Sequence, residues 1–157
     1  MIQTSKNTLP GSTARKNADH NAVLDPECAD ITARILELLG YEGWSPSHRQ
    51  IAHALEYIKG EQEEDGSWYG RWGVNYIYGT WSVLAGLRAI GEDLSSPYIR
   101  RAVSWVESKQ NPDGGWGESC LSYGDVSQSG RGESTPSQTA WALLALMTGG
   151  VTDSFSL

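Results

Sequence analysis

Apolar side chains recur every three or four positions in five stretches of the chain, which is the spacing of helices that bury one face. The pattern predicts helices over residues 29–40, 45–62, 74–90, 97–110 and 135–149. Ser-Pro or Thr-Pro pairs stand at the start of three of these stretches, where proline is tolerated in the first helical turn. No strand pattern competes with them. The sequence therefore predicts an all-α protein.

In the first predicted helix Ile31, Ile35, Leu38 and Leu39 recur at helical spacing. Asp30 is expected to serve as its N-cap or first-turn acid.

Before this helix, residues 1–19 are polar and aperiodic, which predicts a disordered lead-in. The helical domain is expected to occupy residues 20–150, and residues 151–157 are expected to form a short tail.

An internal repeat is the most informative feature of the sequence. Residues 54–68 and 102–116 align without gaps at an offset of 48 positions, and both segments end in Asp-Gly-x-Trp. A second apolar helix follows each copy, so the unit is a pair of helices joined by a glutamine-containing turn. The matched side chains are Gln62 and Trp68 in the first copy and Gln110 and Trp116 in the second.

Each residue type in this turn has a physical reason to be there. Glycine after aspartate can adopt a positive φ angle, which lets the chain reverse sharply. Glutamine can satisfy backbone groups at the end of a neighbouring helix. Tryptophan covers the turn, and its indole N–H requires an acceptor. We therefore expect the four matched side chains to be structural, each turn joining one helix pair to the next.

Composition and charge exclude several classes of protein. The formal net charge of -7 argues against a nucleic-acid interface, which needs a basic face. No apolar run approaches the about 20 residues of a transmembrane helix. The N-terminus lacks a signal-peptide pattern, so we expect a cytoplasmic protein, with peripheral attachment to the inner face of a membrane left open. The chain holds 7 Trp and 7 Tyr but a single Phe, so most of its aromatic rings carry a polar edge.

The repeat resembles the QW motif of the squalene–hopene cyclases, a triterpene cyclase family. The stretch over residues 70–80, Gly-Arg-Trp-Gly-Val-Asn-Tyr-Ile-Tyr-Gly-Thr, and the segment over residues 134–141 resemble the same family. This resemblance implies an α/α barrel, of which the chain would form a part. It also implies a squalene-like hydrophobic substrate, no cofactor and no metal, and aromatic faces that stabilise a carbocation.

The resemblance also assigns candidate site residues. Trp72 matches a position on the cavity wall, and Tyr78 matches one near the catalytic acid. Asp30 and Arg34 lie on one helix face and resemble a pair that supports this acid, although an ordinary helix salt bridge would explain them nearly as well. For Trp81 and Trp141 core packing is favoured, and Glu118 receives no role.

One departure from the family pattern decides the functional expectation. The family's acid lies in an Asp-x-Asp-Asp motif, which this sequence does not contain. We therefore expect no catalytic residue in the chain itself, which would be a truncated or split part of a cyclase, active only with a complementary chain. The alternative is a non-catalytic helical module that binds a hydrophobic ligand or a partner chain, and self-association is expected in either case. A zinc-dependent prenyltransferase is disfavoured because no suitable ligand group appears.

Overall fold

The structure is a computed structural model that describes residues 27–151. Its helices are Ala29–Tyr41 (α1), Arg49–Gly60 (α2), Tyr76–Ala89 (α3), Pro97–Ser108 (α4) and Pro136–Thr148 (α5), with short 3₁₀ turns at Cys120–Tyr123 and Val126–Gln128. These residues contain no strand, which confirms the predicted all-α class. The predicted lead-in over residues 1–19 and residues 152–157 of the predicted tail lie outside the described residues.

The helices alternate between an inner and an outer layer. α3 is central in the inner layer and contacts both α1 and α5, while α2 packs on α1 and α4 packs on α3 and α5. α3 is buried around most of its circumference, whereas α2 and α4 each bury a single stripe. This alternation is the one expected for a section of an α/α barrel.

Eight of the ten helix boundaries differ from the sequence prediction, the start of α2 by four residues and the others by one or two. α2 begins at Arg49 because the preceding four residues form a turn, in which the His48 N–H donates to the Ser45 carbonyl at 3.0 Å. α1 continues through Gly40 to Tyr41. Gly40 therefore does not end the helix. A glycine is required at this position because a β-carbon there would lie 2.4 Å from the main chain of Ala89.

Most of the apolar stripe of α1 is exposed. Ile31, Ile35 and Leu38 are 43%, 52% and 56% exposed, and the buried face instead contains Ala33 and Leu36. The physical reason is the close approach of α1 to α3, which only small side chains permit. At 100° per residue the exposed stripe lies on the opposite side of α1, where the described residues provide no neighbouring helix.

The two glutamine-containing turns have nearly identical internal geometry. Trp68 and Trp116 are buried, and each indole N–H donates at 2.8 Å to the carbonyl ten residues earlier, Ile58 or Val106. Their main-chain N–H groups donate to a threonine hydroxyl of the following inner helix, also at equal distances of 3.0 Å. The turn glycines at positions 66 and 114 have φ angles of 97° and 82°, as the sequence predicted.

A first prediction concerns the crossing of α1 and α3. A β-carbon at Gly86 would lie 2.4 Å from the Ala33 carbonyl oxygen, so Gly86→Ala should lower the free energy of unfolding by about 2–3 kcal/mol. Gly60→Ala is the matched control, because a β-carbon at this helical position meets no atom within 4 Å. The control should be neutral or stabilising by up to about 1 kcal/mol in urea titrations. Equal stability of the two variants would contradict the packing argument.

Candidate functional site

The segment before α3, residues 70–75 (the pre-α3 segment), has no regular structure of its own, so its peptide N–H groups need side-chain acceptors. Asp30 supplies one side of this support from the first turn of α1. Its fully buried carboxylate accepts from Arg71 N at 2.8 Å and from Trp72 N at 3.1 Å through one oxygen. The other oxygen accepts from Ile31 N at 2.9 Å. Asp30 thereby fixes the backbone that carries Trp72.

Glu118 supplies the other side of the support. Its carboxylate accepts from three consecutive N–H groups at the start of α3, those of Asn75 (3.2 Å), Tyr76 (3.1 Å) and Ile77 (2.9 Å). The Asn75 side chain makes no capping hydrogen bond, so a carboxylate distant in sequence serves as the cap of this helix. Negative charge at a helix N-terminus also interacts favourably with the helix dipole.

Gln138, at the start of α5, holds Glu118 in place. Its amide oxygen accepts from Glu118 N at 2.9 Å, and its amide nitrogen donates to Glu118 O at 2.9 Å and to Val74 O at 3.2 Å. The Tyr123 hydroxyl donates to Gly73 O at 3.0 Å. Side chains from α1, from the loop before α5 and from α5 itself therefore converge on the pre-α3 segment.

An aromatic cluster extends from this segment along the inner layer. The Tyr78 ring lies 5.1 Å from the Trp141 ring and 5.8 Å from the Trp81 ring, centroid to centroid, and the two indoles stack at 6.0 Å with an interplanar angle of 10°. Gly73 provides the room for Tyr78, since a β-carbon there would lie 2.5 Å from its ring. Trp81 and Trp141 are both partly buried. Each of them packs against the core and also belongs to this cluster.

The structure separates Asp30 from Arg34. The Arg34 guanidinium pairs with Glu37 at 2.6 Å and lies 5.2 Å from the centroid of the Trp81 ring, whereas Asp30 binds the backbone described above. Asp30 and Arg34 therefore do not form the helix salt bridge that was the alternative explanation for this pair. Arg34 instead places a permanent positive charge beside the aromatic cluster.

The candidate wall residues differ in exposure. Trp72 is 47% exposed, and the Arg71 guanidinium lies 5.8 Å from its ring centroid. Tyr78 is partly buried, and burial raises the pKa of its phenol above the ordinary value. Burial also raises the pKa of Tyr123 to about 12, so this hydroxyl remains a neutral donor to Gly73 O. The arrangement offers aromatic faces that can stabilise a cation, and its phenols stay protonated near neutral pH.

Sequence reasoning missed Glu118 and Gln138. The partners described above lie between 20 and 64 positions away, so the local pattern, which places Gln138 in a predicted helix and Glu118 in a loop, does not reveal these contacts. The available signal was a single acidic residue directly after the Trp116-Gly117 pair, in a loop that is otherwise rich in Gly and Ser.

Residues 27–151 contain no group of three or more His, Cys, Asp or Glu side chains that could hold a metal ion. None of the helices in the same range is both long enough and apolar enough to cross a bilayer.

The two glutamine-containing turns correspond to the QW motif and are called QW turns from here on. Together with the layered helix pairs and the aromatic inner face, they define a section of a terpenoid-cyclase type of α/α barrel. The family model of the squalene–hopene cyclase C-terminal domain matches residues 8–157, and the chain belongs to this family.

Curated relatives agree with this assignment. The chain is 51% identical over 135 residues to a probable squalene–hopene cyclase of Sinorhizobium fredii and 54% identical over 136 residues to the squalene–hopene cyclase of Alicyclobacillus acidocaldarius. It is 41% identical over 152 residues to a dammaradiene synthase of Dryopteris crassirhizoma. These matches cover 85%, 87% and 85% of the chain but only 21%, 22% and 22% of the relatives. The chain thus spans about a fifth of their length.

A second prediction tests the cap on α3. Glu118→Ala leaves three N–H groups without their acceptor, so the free energy of unfolding should fall by about 3 kcal/mol. Amide hydrogen exchange at residues 75–77 should accelerate more than exchange in α4. Glu118→Gln keeps one acceptor oxygen, so its free energy of unfolding should lie between that of Glu118→Ala and that of the wild type. The exposed Glu133→Ala is the control and should change stability by less than about 0.5 kcal/mol. Unchanged exchange at residues 75–77 in Glu118→Ala would disprove the capping role.

A third prediction concerns the two cysteines, which are both free thiols. Burial and the neighbouring Asp30 carboxylate raise the pKa of Cys28 to about 12, so at pH 8 only about one thiol in ten thousand is a thiolate. Iodoacetamide should therefore label the exposed Cys120 in the native chain and both cysteines in denaturant, as counted by mass spectrometry. Equal labelling rates for both thiols in the native chain would contradict the raised pKa.

Proposed function

We propose that the chain is part of a triterpene cyclase and forms a section of the wall of its substrate cavity. The observation that carries the proposal is the pre-α3 segment, held between two buried carboxylates and continuous with the aromatic cluster. A cavity that guides a reactive chain needs walls of fixed shape, and such a segment meets this need. The squalene–hopene cyclases among the relatives suggest a squalene-like hydrophobic substrate.

Trp72 and Tyr78 are the residues we assign to the cavity. A carbocation in an apolar cavity is poorly solvated, and an aromatic face offers negative electrostatic potential without a nucleophile that would trap it. Trp81 and Trp141 support Tyr78 from behind through the ring contacts described above. The turn residues Gln62, Trp68, Gln110 and Trp116 serve the same wall indirectly, by joining its helix pairs.

The proton for cyclisation must come from another part of the enzyme, because the sequence has no Asp-x-Asp-Asp motif. In this proposal Asp30 acts by fixing the backbone of Trp72. Arg34 contributes positive charge at the edge of the aromatic cluster, which would lower the pKa of a carboxylic acid brought near it. The chain by itself is inactive.

A complementary cyclase chain is the partner that the edges of the inner layer suit. On α1 the stripe of Ile31, Ile35 and Leu38 is exposed, and on α5 Leu144 and Met147 are 43% and 54% exposed. Inner helices of a longer barrel would cover both stripes. We expect the assembly in the cytoplasm, with peripheral contact to a membrane from which a hydrophobic substrate is drawn.

A chimera tests this proposal. The segment of the Alicyclobacillus acidocaldarius cyclase that matches this chain is replaced by residues 20–151, which leaves the remainder of that enzyme intact. The chimera should convert squalene to a cyclic triterpene, detected by gas chromatography–mass spectrometry, and the isolated chain should not. Trp72→Ala should lower turnover at least about tenfold through loss of a cation-stabilising face, and Trp72→Phe should retain most of it.

The control for this experiment is Trp44→Phe in the chimera, since Trp44 packs against the core and His48 away from the aromatic cluster. It should leave turnover and product pattern unchanged. A correctly folded chimera without activity, or full activity in Trp72→Ala, would disprove the wall assignment. Product formed by the isolated chain would disprove the need for an external acid.

The second candidate function is a non-catalytic module that binds a hydrophobic ligand or a partner chain. The exposure of Trp72 together with the apolar stripe of α1 favours it. In this case the isolated chain should bind squalene presented in detergent micelles, with quenching of tryptophan fluorescence that Trp72→Ala reduces. The folded chimera would then be inactive, which separates the two functions.

A further inference from the structure

Trp81 lies between two neighbours that come from different helices of the inner layer. Its ring stacks on Trp141 of α5 at a centroid distance of 6.0 Å, and the Arg34 guanidinium of α1 lies 5.2 Å from its centroid. α3 contacts both of these helices, so Trp81 connects a charged side chain of α1 with the aromatic cluster. Of the three rings in the cluster, Trp81 is the one with a described cation contact.

Arg34 needs such a contact to keep a fixed position. Its side chain is 44% exposed, and a long side chain with that much freedom loses conformational entropy when it is held in one place. Its ion pair with Glu37, at 2.6 Å, joins two positions of the same helix, and an exposed pair of this kind contributes little by itself. An indole face adds the attraction of its electron-rich ring for a cation. The ion pair and the ring together fix the guanidinium at the cluster.

The charge of Arg34 reaches Tyr78, the phenol that we assign to the cavity. Burial and the Asp30 carboxylate raise the pKa of Tyr78, whereas the positive charge of Arg34 lowers it. Asp30 does not neutralise this charge by direct pairing, because its carboxylate accepts from main-chain N–H groups of the pre-α3 segment. A group brought close to Tyr78 would therefore be exposed to the charge of Arg34 as well.

The other cations of the neighbouring elements are placed elsewhere. α5 has no ionisable side chain, and the cation of α3, Arg88, donates to carbonyls at the end of α5. Arg71 of the pre-α3 segment lies over Trp72. Within residues 27–151 no ion pair joins Arg34 to α2. Arg34 therefore supplies the positive charge in this part of the structure.

We propose that Trp81 is a positioning residue, whose ring holds the Arg34 guanidinium beside Tyr78 with Glu37 as the second support. This role rests on the proposed function, in which a carboxylic acid from another part of the enzyme is brought near Arg34. There a fixed positive charge makes the carboxyl group a stronger acid than it would be beside an apolar wall. Trp81 acts through Arg34 and is not itself a catalytic residue.

The first part of the test uses the chain alone and follows the δ-methylene protons of Arg34 by NMR. Protons near an indole face are shifted upfield by its ring current, so these resonances should lie upfield of their positions in urea. Trp81→Leu should abolish this difference, and Trp81→Phe should retain part of it. Trp141→Leu is the matched control, because it removes an indole of the same cluster that has no described cation contact. It should retain the upfield shift.

The second part measures turnover of squalene against pH in the chimera with the Alicyclobacillus acidocaldarius cyclase. The acid must be protonated to act, so turnover falls as the pH rises through the pKa of the acid. Loss of the held charge raises that pKa, so Trp81→Leu should move the falling limb of the profile to higher pH by about one pH unit. A weaker acid should also lower the turnover on the acidic side of this limb.

A double-variant comparison shows whether Trp81 acts through Arg34. Arg34→Gln should move the falling limb in the same direction as Trp81→Leu, and the variant with both changes should move it no further. Trp81→Phe should restore the wild-type position of the limb, since a phenyl face also attracts a guanidinium. Trp141→Leu should leave the limb in place even if it lowers turnover.

Two results would overturn the inference: Arg34 resonances that are the same in wild type and Trp81→Leu, or a falling limb that Trp81→Leu leaves in place. A limb that Trp141→Leu moves as far as Trp81→Leu would also overturn it, because general loosening of the cluster would then be the cause. The NMR measurement involves no squalene, so its outcome is independent of cyclase activity. An inactive chimera beside the expected Arg34 shifts would support the pairing and disprove the cyclase function alone.

Discussion

A buried peptide N–H without an acceptor costs about 1–3 kcal/mol, and the chain entering α3 has several such groups at a place where neither helix nor sheet can serve them. Two carboxylates meet this requirement, one from α1 and one from the loop before α5. The position of the aromatic cluster depends on this arrangement, because Tyr78 follows the capped turn directly. The candidate wall is thus a consequence of hydrogen-bond satisfaction as much as of apolar packing.

The layered helices provide the frame for this arrangement. Small residues let α1 and α3 approach closely, so Asp30 reaches the pre-α3 segment from a neighbouring helix. The QW turns repeat the same indole-to-carbonyl bond at 2.8 Å and hold each outer helix against the inner layer. Local turn chemistry and long-range capping therefore act on the same helix pairs, and the inner face gains a defined shape.

The sequence predicted the features whose causes are local. The helical class followed from apolar spacing, and the positive φ angles at Gly66 and Gly114 followed from the Asp-Gly pairs. The orientation of α1 was not predictable in this way. An amphipathic pattern shows that one face of a helix is apolar without showing what covers it, and Ile35 is exposed in the structure. Glu118 was missed because its partners lie 41–43 positions away, beyond any local pattern.

The separation in sequence between Glu118 and the start of α3 also determines the order in which parts of the chain fold. Contacts of large sequence separation form after a costly loop closure, and here the loop contains the whole of α3 and α4. During synthesis α3 leaves the ribosome with its first N–H groups uncapped. These groups remain without their acceptor until Glu118, which follows the second QW turn, has also been synthesised. The candidate wall is consequently among the last parts of the chain to reach its final shape.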